Sequence, residues 1–126
     1  TPFEHRSFGE ELALCQRYFQ ILDYNEGVRE TGSGYEPSSS QLNICYQYHG
    51  GEMRANPTCS TPTITEGYRF LSGTAEDNRK NTIPLINQIS KIGCQFVNNQ
   101  DTVTGGDGGR MILNNTDAKV NFDAEL

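Results

Sequence analysis

QLNICYQYH, residues 41–49, is the stretch that decides the fold. In an extended chain, residues two apart point to the same side. Leu42, Ile44, Tyr46 and Tyr48 therefore share one face, and Asn43, Cys45, Gln47 and His49 share the other. An apolar face backed by a polar one marks a strand with one side on a core. Gly50 and Gly51 close it.

Further strands are expected on both sides of this one. Residues 61–71 put Ile64, Tyr68 and Phe70 on one face, and residues 89–98 do the same with Ile92, Cys94 and Phe96. Near the end, Met111 and Leu113 oppose Ile112, while Val120, Phe122 and Ala124 fall in register. Asn115-Thr116-Asp117 between those two runs is a connection of hairpin length. Residues 23–30 and the apolar segment 83–88 add two short candidates, and Pro57 confines residues 53–60 to a sheet edge because proline cannot donate to a ladder. Residues 31–40 (TGSGYEPSSS), 72–81 (SGTAEDNRKN) and 99–109 (NQDTVTGGDGG) read as loops. Six or seven short strands between such turn clusters predict a mainly β chain, an antiparallel, jelly-roll-like β-sandwich.

One segment departs from the period of two. In SFGEELALCQRYFQIL, residues 7–22, Ser7 and Glu10 have capping-box spacing, in which each side chain satisfies a backbone donor left open by the first helical turn. At 3.6 residues per turn Phe8, Leu12, Cys15, Phe19 and Leu22 line one stripe, widened by Leu14, Tyr18 and Ile21. A stripe that wide exceeds what one core needs, so the expected helix has two apolar neighbours, its own sandwich and copies of itself. Glu11 falls inside the stripe and is expected to be solvent-open or paired. The expected division is a lead-in and N-terminal helix over residues 1–23, serving as connector and oligomer contact, and a β-sandwich over 24–126.

Composition narrows the function classes. The 126 residues suit one modest core. A net charge of −6 with scattered basic residues speaks against a nucleic-acid or anionic-membrane surface, since binding phosphate depends on clustered Lys and Arg. No run approaches the length of a membrane span. The chain begins Thr1-Pro2 without Met, as a fragment or processed product does. Cys15, Cys45, Cys59 and Cys94 lack the paired spacing of a zinc site, and their three possible full pairings stay open beside the reading of four buried free thiols. No metal site or cofactor is expected.

Catalytic patterns are equally thin. His5 and His49 accompany no nucleophile signature, and no pair of carboxylates stands out as the acid and base of a glycosidase. The glycines around Asp107 lack the Lys-Ser/Thr of a phosphate loop and the alternating oxygens of a calcium loop. Tyr35, Tyr46, Tyr48 and Tyr68, with His49 and Arg54, supply rings with polar edges, suited to stacking on sugars or to packing in a core or interface. The loops 31–40, 72–81 and 99–109, the last bringing Asp107, are the expected contact surfaces because binding residues favour loops on a rigid scaffold.

Several pieces taken in order resemble the carboxyl-terminal part of tailed-bacteriophage virion proteins. They are TPFE at 1–4, ELALCQRYF at 11–19, MRANPT at 53–58 and the closing NFDAEL at 121–126. The resemblance implies a carboxyl-terminal domain of a tail fibre or spike, usually a homotrimer, attached to other virion tail proteins. It does not imply that this segment itself holds the sugar site, and attachment to the host surface through a glycan is the expected function. It also admits a purely structural trimerisation, capping or capsid-decoration domain, or, further off, a polysaccharide depolymerase. Residues 23–52 and 60–119 match nothing in that pattern.

Overall fold

The computed structural model describes residues 7–24, 30–38, 41–64, 67–72, 79–81, 83–98 and 108–125. Helix α1 (Phe8–Gln16) precedes ten strands: β1 (Phe19–Asp23), β2 (Glu30–Ser38), β3 (Gln41–Gln47), β4 (Thr58–Ser60) and β5 (Tyr68–Ser72), then β6 (Arg79–Asn81), β7 (Leu85–Asn87), β8 (Gly93–Asn98), β9 (Gly108–Leu113) and β10 (Lys119–Asp123). All pairings are antiparallel. One sheet has three strands in the order β1-β10-β4, and the other has seven in the order β6-β5-β9-β2-β3-β8-β7. The antiparallel sandwich with a helix ahead of it is the architecture expected from the alternation.

The core lies between the two sheets and follows the period of two. β3 sends Leu42, Ile44 and Tyr46 inward, β8 sends Cys94 and Phe96, β9 sends Met111 and Leu113, and β10 sends Val120 and Phe122. Tyr46 from the large sheet stacks on Phe122 from the small one, with ring centroids 5.6 Å apart and planes 17° from parallel. Tyr48 meets the same Phe122 at 4.9 Å, and Phe96 meets Tyr46 at 5.6 Å. The Tyr68 hydroxyl on β5 donates to the Lys119 carbonyl on β10 at 2.7 Å, which gives a buried polar atom its partner across the layers.

The helix is shorter than its sequence pattern. Its capping box forms as expected: Ser7 Oγ accepts from the Glu10 N–H, and the Glu10 carboxylate accepts from the Ser7 N–H at 2.7 Å. These bonds to Ser7 hold the Glu10 carboxyl below its usual range. The helix stops at Gln16, however, and tight three-residue hydrogen bonds from Arg17 to Leu14 and from Tyr18 to Cys15 close it. Phe19 to Asp23 pair with β10 instead, so Phe19 and Leu22 belong to a strand and not to the helical stripe. Alternation sends Gln20 and Leu22 inward. A nine-residue helix gains little by adding a turn, whereas five residues placed beside β10 gain a ladder and a buried leucine.

Other segments also change role. The expected loop 31–40 is largely β2, a strand between β3 and β9 in the middle of the large sheet. Its glycines serve close packing: a Cβ at Gly34 would overlap the Asn43 carbonyl oxygen, and Gly32 has φ 151° with the Cys45 carbonyl oxygen 2.6 Å from where a Cβ would lie. The expected hairpin between the last two runs does not form, because β9 and β10 lie in different sheets. The turn at Asn115, whose side chain accepts from the Asp117 N–H at 3.0 Å, carries the chain across the edge of the sandwich. Pro57 is buried just ahead of β4, which is an edge strand as expected. Within the loop 72–81, residues 79–81 form β6 on β5.

A buried amide fastens the helix end to the body. The Gln20 Nε2 donates to the carbonyls of Gln16 and Gly51 at 3.0 and 3.2 Å, and its Oε1 accepts from the Gly50 N–H at 3.0 Å. Beside it the Arg54 N–H donates to the Arg17 carbonyl at 2.7 Å, and the Arg54 guanidinium lies 5.3 Å from the Tyr18 ring centre. No helix among the described residues is long and apolar enough to cross a membrane.

Candidate functional site

The outer face of the seven-stranded sheet carries a groove of about 540 Å³. Alternation builds its floor. Tyr46 and Cys94 face the core, so their neighbours Cys45, Gln47 and Gln95 turn outward, and register sets Cys45 beside Gln95. Ser33 on β2 completes this side, and Gln88, Ser90 and Ile92 in the β7–β8 turn form the facing wall.

The turn is held by its own atoms. Ser90 Oγ donates to the Gly93 carbonyl at 2.9 Å and accepts from the N–H groups of Ile92 and Gly93 at 3.3 Å. Gly93 permits the tight start of β8, since a Cβ there would overlap the Tyr46 carbonyl. Gln88 has φ 49°, a left-handed conformation that side chains larger than Asn rarely adopt, and it is exposed at the groove rim.

Among the described residues the groove lining contains no charged side chain. It offers the exposed amides of Gln47 and Gln88, the buried amide of Gln95 at its floor, the hydroxyls of Ser33 and Ser90, and the apolar surface of Ile92, which is 61% exposed. Each amide both donates and accepts, as each hydroxyl does. This chemistry matches a neutral ligand rich in hydroxyl groups. Among the described residues no three His, Cys, Asp or Glu side chains converge as a metal site.

The aromatic residues singled out from sequence are dispersed. Tyr46, Tyr48 and Tyr68 are in the core, where burial raises the hydroxyl pKa of Tyr48 and Tyr68 and leaves no ring face for a ligand. His49 is exposed, and its Nδ1 shares a 3.0 Å hydrogen bond with the Tyr46 hydroxyl. Arg54 lies over Tyr18. Asp107 lies outside the described residues. Tyr35 alone joins the groove's face: it is 54% exposed, two residues from Ser33 on the same side of β2, and opposite Asn43. Asn43 is itself buried, and its Oδ1 has no hydrogen-bond partner in the structure.

Of the groove residues only Cys45 and Gln47 stand on the polar half of QLNICYQYH, neither is a site candidate from sequence, and sequence cannot show that β8 brings Gln95 beside them. Of the expected contact loops, 31–40 is mostly strand, and 73–78 and 99–107 lie outside the described residues.

A second surface is apolar. None of α1 is buried, and Phe8 is 84% and Leu12 46% exposed, with Cys15 exposed beside them. Phe19 is also exposed, from β1. Leu22, placed in the same oligomer stripe from sequence, is a core residue at 1% exposure and cannot contact another chain. Glu11 is exposed, as its position in the stripe required. No protein-family model, curated protein or solved structure matches this chain.

Proposed function

We propose that this chain is the host-contact domain of a tailed-phage fibre or spike, which attaches the virion to a neutral glycan at the bacterial surface through the outer-face groove. The observation that carries the binding reading is the groove lining: three amides and two hydroxyls, uncharged among the described residues, on paired strands and the turn that joins two of them. Sugar hydroxyls would pair with Gln47, Gln88 and Gln95, while the apolar face of a ring would lie on Ile92 or on Tyr35 next to the groove. Among the described residues the lining holds no carboxylate, and a depolymerase reading would need two. The virion assignment rests on the motif resemblance.

Titration of the chain with neutral hexose and N-acetylhexosamine oligosaccharides tests the reading. Saturable binding is expected, and Gln47→Ala or Tyr35→Ala weakens it by roughly tenfold, the worth of one or two good contacts. Both residues are exposed, so the fold survives the change. Binding that both variants leave intact would move the site elsewhere, and no binding at millimolar sugar would end the attachment reading.

The exposed face of α1 favours a second, compatible reading, a homotrimer joined through Phe8 and Leu12 to serve assembly or capping without a ligand. Light scattering decides it: a monomer at micromolar concentration removes the trimer.

A further inference from the structure

Two of the four cysteines, 35 positions apart, point into the same part of the core from opposite sheets. Cys59 on β4 stands opposite Phe122 on β10, and Cys94 on β8 stands opposite Tyr46 on β3. Directly opposed residues on one face of an antiparallel pair are immediate neighbours. Phe122 and Tyr46 stack on one another across the layers, so the two thiols flank a single aromatic stack. They flank it on the same side. The Met53 N–H, in the segment leading to β4, donates to the Lys91 carbonyl ahead of β8 at 2.7 Å, and Cys59 packs on the buried cluster that contains Cys94. Both thiols also lie within interaction range of the Tyr48 hydroxyl and of each other.

We infer that Cys59 and Cys94 are the pair that oxidation joins, forming one disulfide that pins the small sheet to the large one. The other two cysteines have no such partner. Cys15 is exposed on α1, and Cys45 is exposed on the outer face of the large sheet, the side away from the core. In the structure all four are free. The Tyr48 hydroxyl, buried against Cys94, makes no well-formed hydrogen bond, and closing the bridge gives up only the weak one that the Cys59 thiol donates to the Pro57 carbonyl at 3.9 Å.

The surroundings also fix when the bond can form. Burial pushes the Cys94 thiol up to about 12 and the Cys59 thiol up to about 11. The thiolate is the species that attacks a disulfide, and at neutral pH the folded protein holds almost none of it. The unfolded chain has ordinary cysteines and reacts far faster. The bridge is therefore set during folding, with glutathione disulfide as a sufficient oxidant. One cysteine thiolate displaces a glutathione thiolate, the second cysteine thiolate displaces the other, and the two cysteines give up two electrons and two protons to form two glutathione thiols.

The test uses the full chain with Cys15→Ser and Cys45→Ser, two exposed changes outside the core. Refolding with glutathione disulfide is expected to give protein whose mass is lower by about 2 Da, the two hydrogens lost, with no titratable thiol in denaturant. It should melt roughly 10 °C or more above the same protein refolded in reductant. Reduced protein that is already folded, given the same oxidant at pH 7, should keep both thiols for at least tenfold longer than the refolding chain. Two thiols remaining after oxidative refolding, or two glutathione adducts in place of an internal bond, would overturn the inference. In the unsubstituted chain, a peptide map that joins Cys59 to Cys15 or Cys45 would do the same. These readouts use no sugar and are independent of the attachment reading.

Discussion

The small sheet is assembled from three distant pieces of chain gathered at the end of α1, whereas the large sheet joins three pairs of consecutive strands, β5-β6, β2-β3 and β7-β8, with β9, and its outer face carries a groove. Around the small sheet the anchoring bonds are specific, and those of Gln20 are part-buried. Arg54 and Ala124 donate to the carbonyls of Arg17 and Tyr18, each at 2.7 Å, and Gln20 closes three further bonds. The pieces meeting here are QRYF, MRANPT and NFDAE, three of the four segments on which the resemblance to phage virion proteins rests. The large sheet and its groove come almost wholly from segments that resemble nothing. One region is thus a hydrogen-bonded frame, and the other presents an outer face with exposed side chains on paired strands.

That division can be broken most sharply at Phe122, the residue of the small sheet that touches both Tyr46 and Tyr48. Phe122→Ala should destabilise by about 3–5 kcal/mol in denaturant unfolding, because the ring is fully buried. If the two sheets share one core, probes in both lose structure in a single transition. Two separate transitions would mean that the frame and the array fold independently.

Alkaline unfolding of the reduced protein comes next. Burial raises the pKa of Cys59, Cys94, Tyr48 and Tyr68 in the folded state, so above the unfolded values the unfolded chain binds fewer protons than the native one. Stability is fully present below about pH 8.5, the ordinary cysteine value, and falls as pH rises toward 11–12. Thermal melts between pH 7 and 11 should show a progressive fall. Oxidised protein should fall less over the first part of that range, because its bridged sulfurs do not titrate.

Gln20→Ala should cost about 1–3 kcal/mol, leaving the Gly50 N–H without its amide partner. The loss should concentrate at the junction of α1 and β1, read as faster amide exchange there than in β3 or β8. Smallest is Phe8→Ala, expected to change monomer stability by less than about 0.5 kcal/mol because the ring is 84% exposed. A larger loss would show that the helix face is already covered within one chain, and weaker self-association would support the trimer.

How much was legible from sequence differs between these regions for physical reasons. Alternation in QLNICYQYH and around Val120 and Phe122 was readable because one face is buried and the other is not. β2 was unreadable because Gly32 and Gly34 carry the marks of a turn while acting as close-contact positions between neighbouring strands. The groove was half legible: Cys45 and Gln47 were already assigned to a polar face, but Gln95 reaches them only through the β3–β8 register. The tyrosines misled because a ring with a polar edge suits a core as well as a ligand, and burial alone separates the two.

By itself, then, the sequence determined what depends on neighbours a few residues away: the capping box of Ser7 and Glu10, the inward face of each clear strand, and the mainly β character. Tertiary structure decided what depends on partners far along the chain. It ended the helix at Gln16, because Phe19–Asp23 gain more from β10 than from another turn. It sent β9 and β10 to different sheets and brought Cys59 and Cys94 to one aromatic stack. Local patterns fix which way a side chain faces, but not which strand it will face.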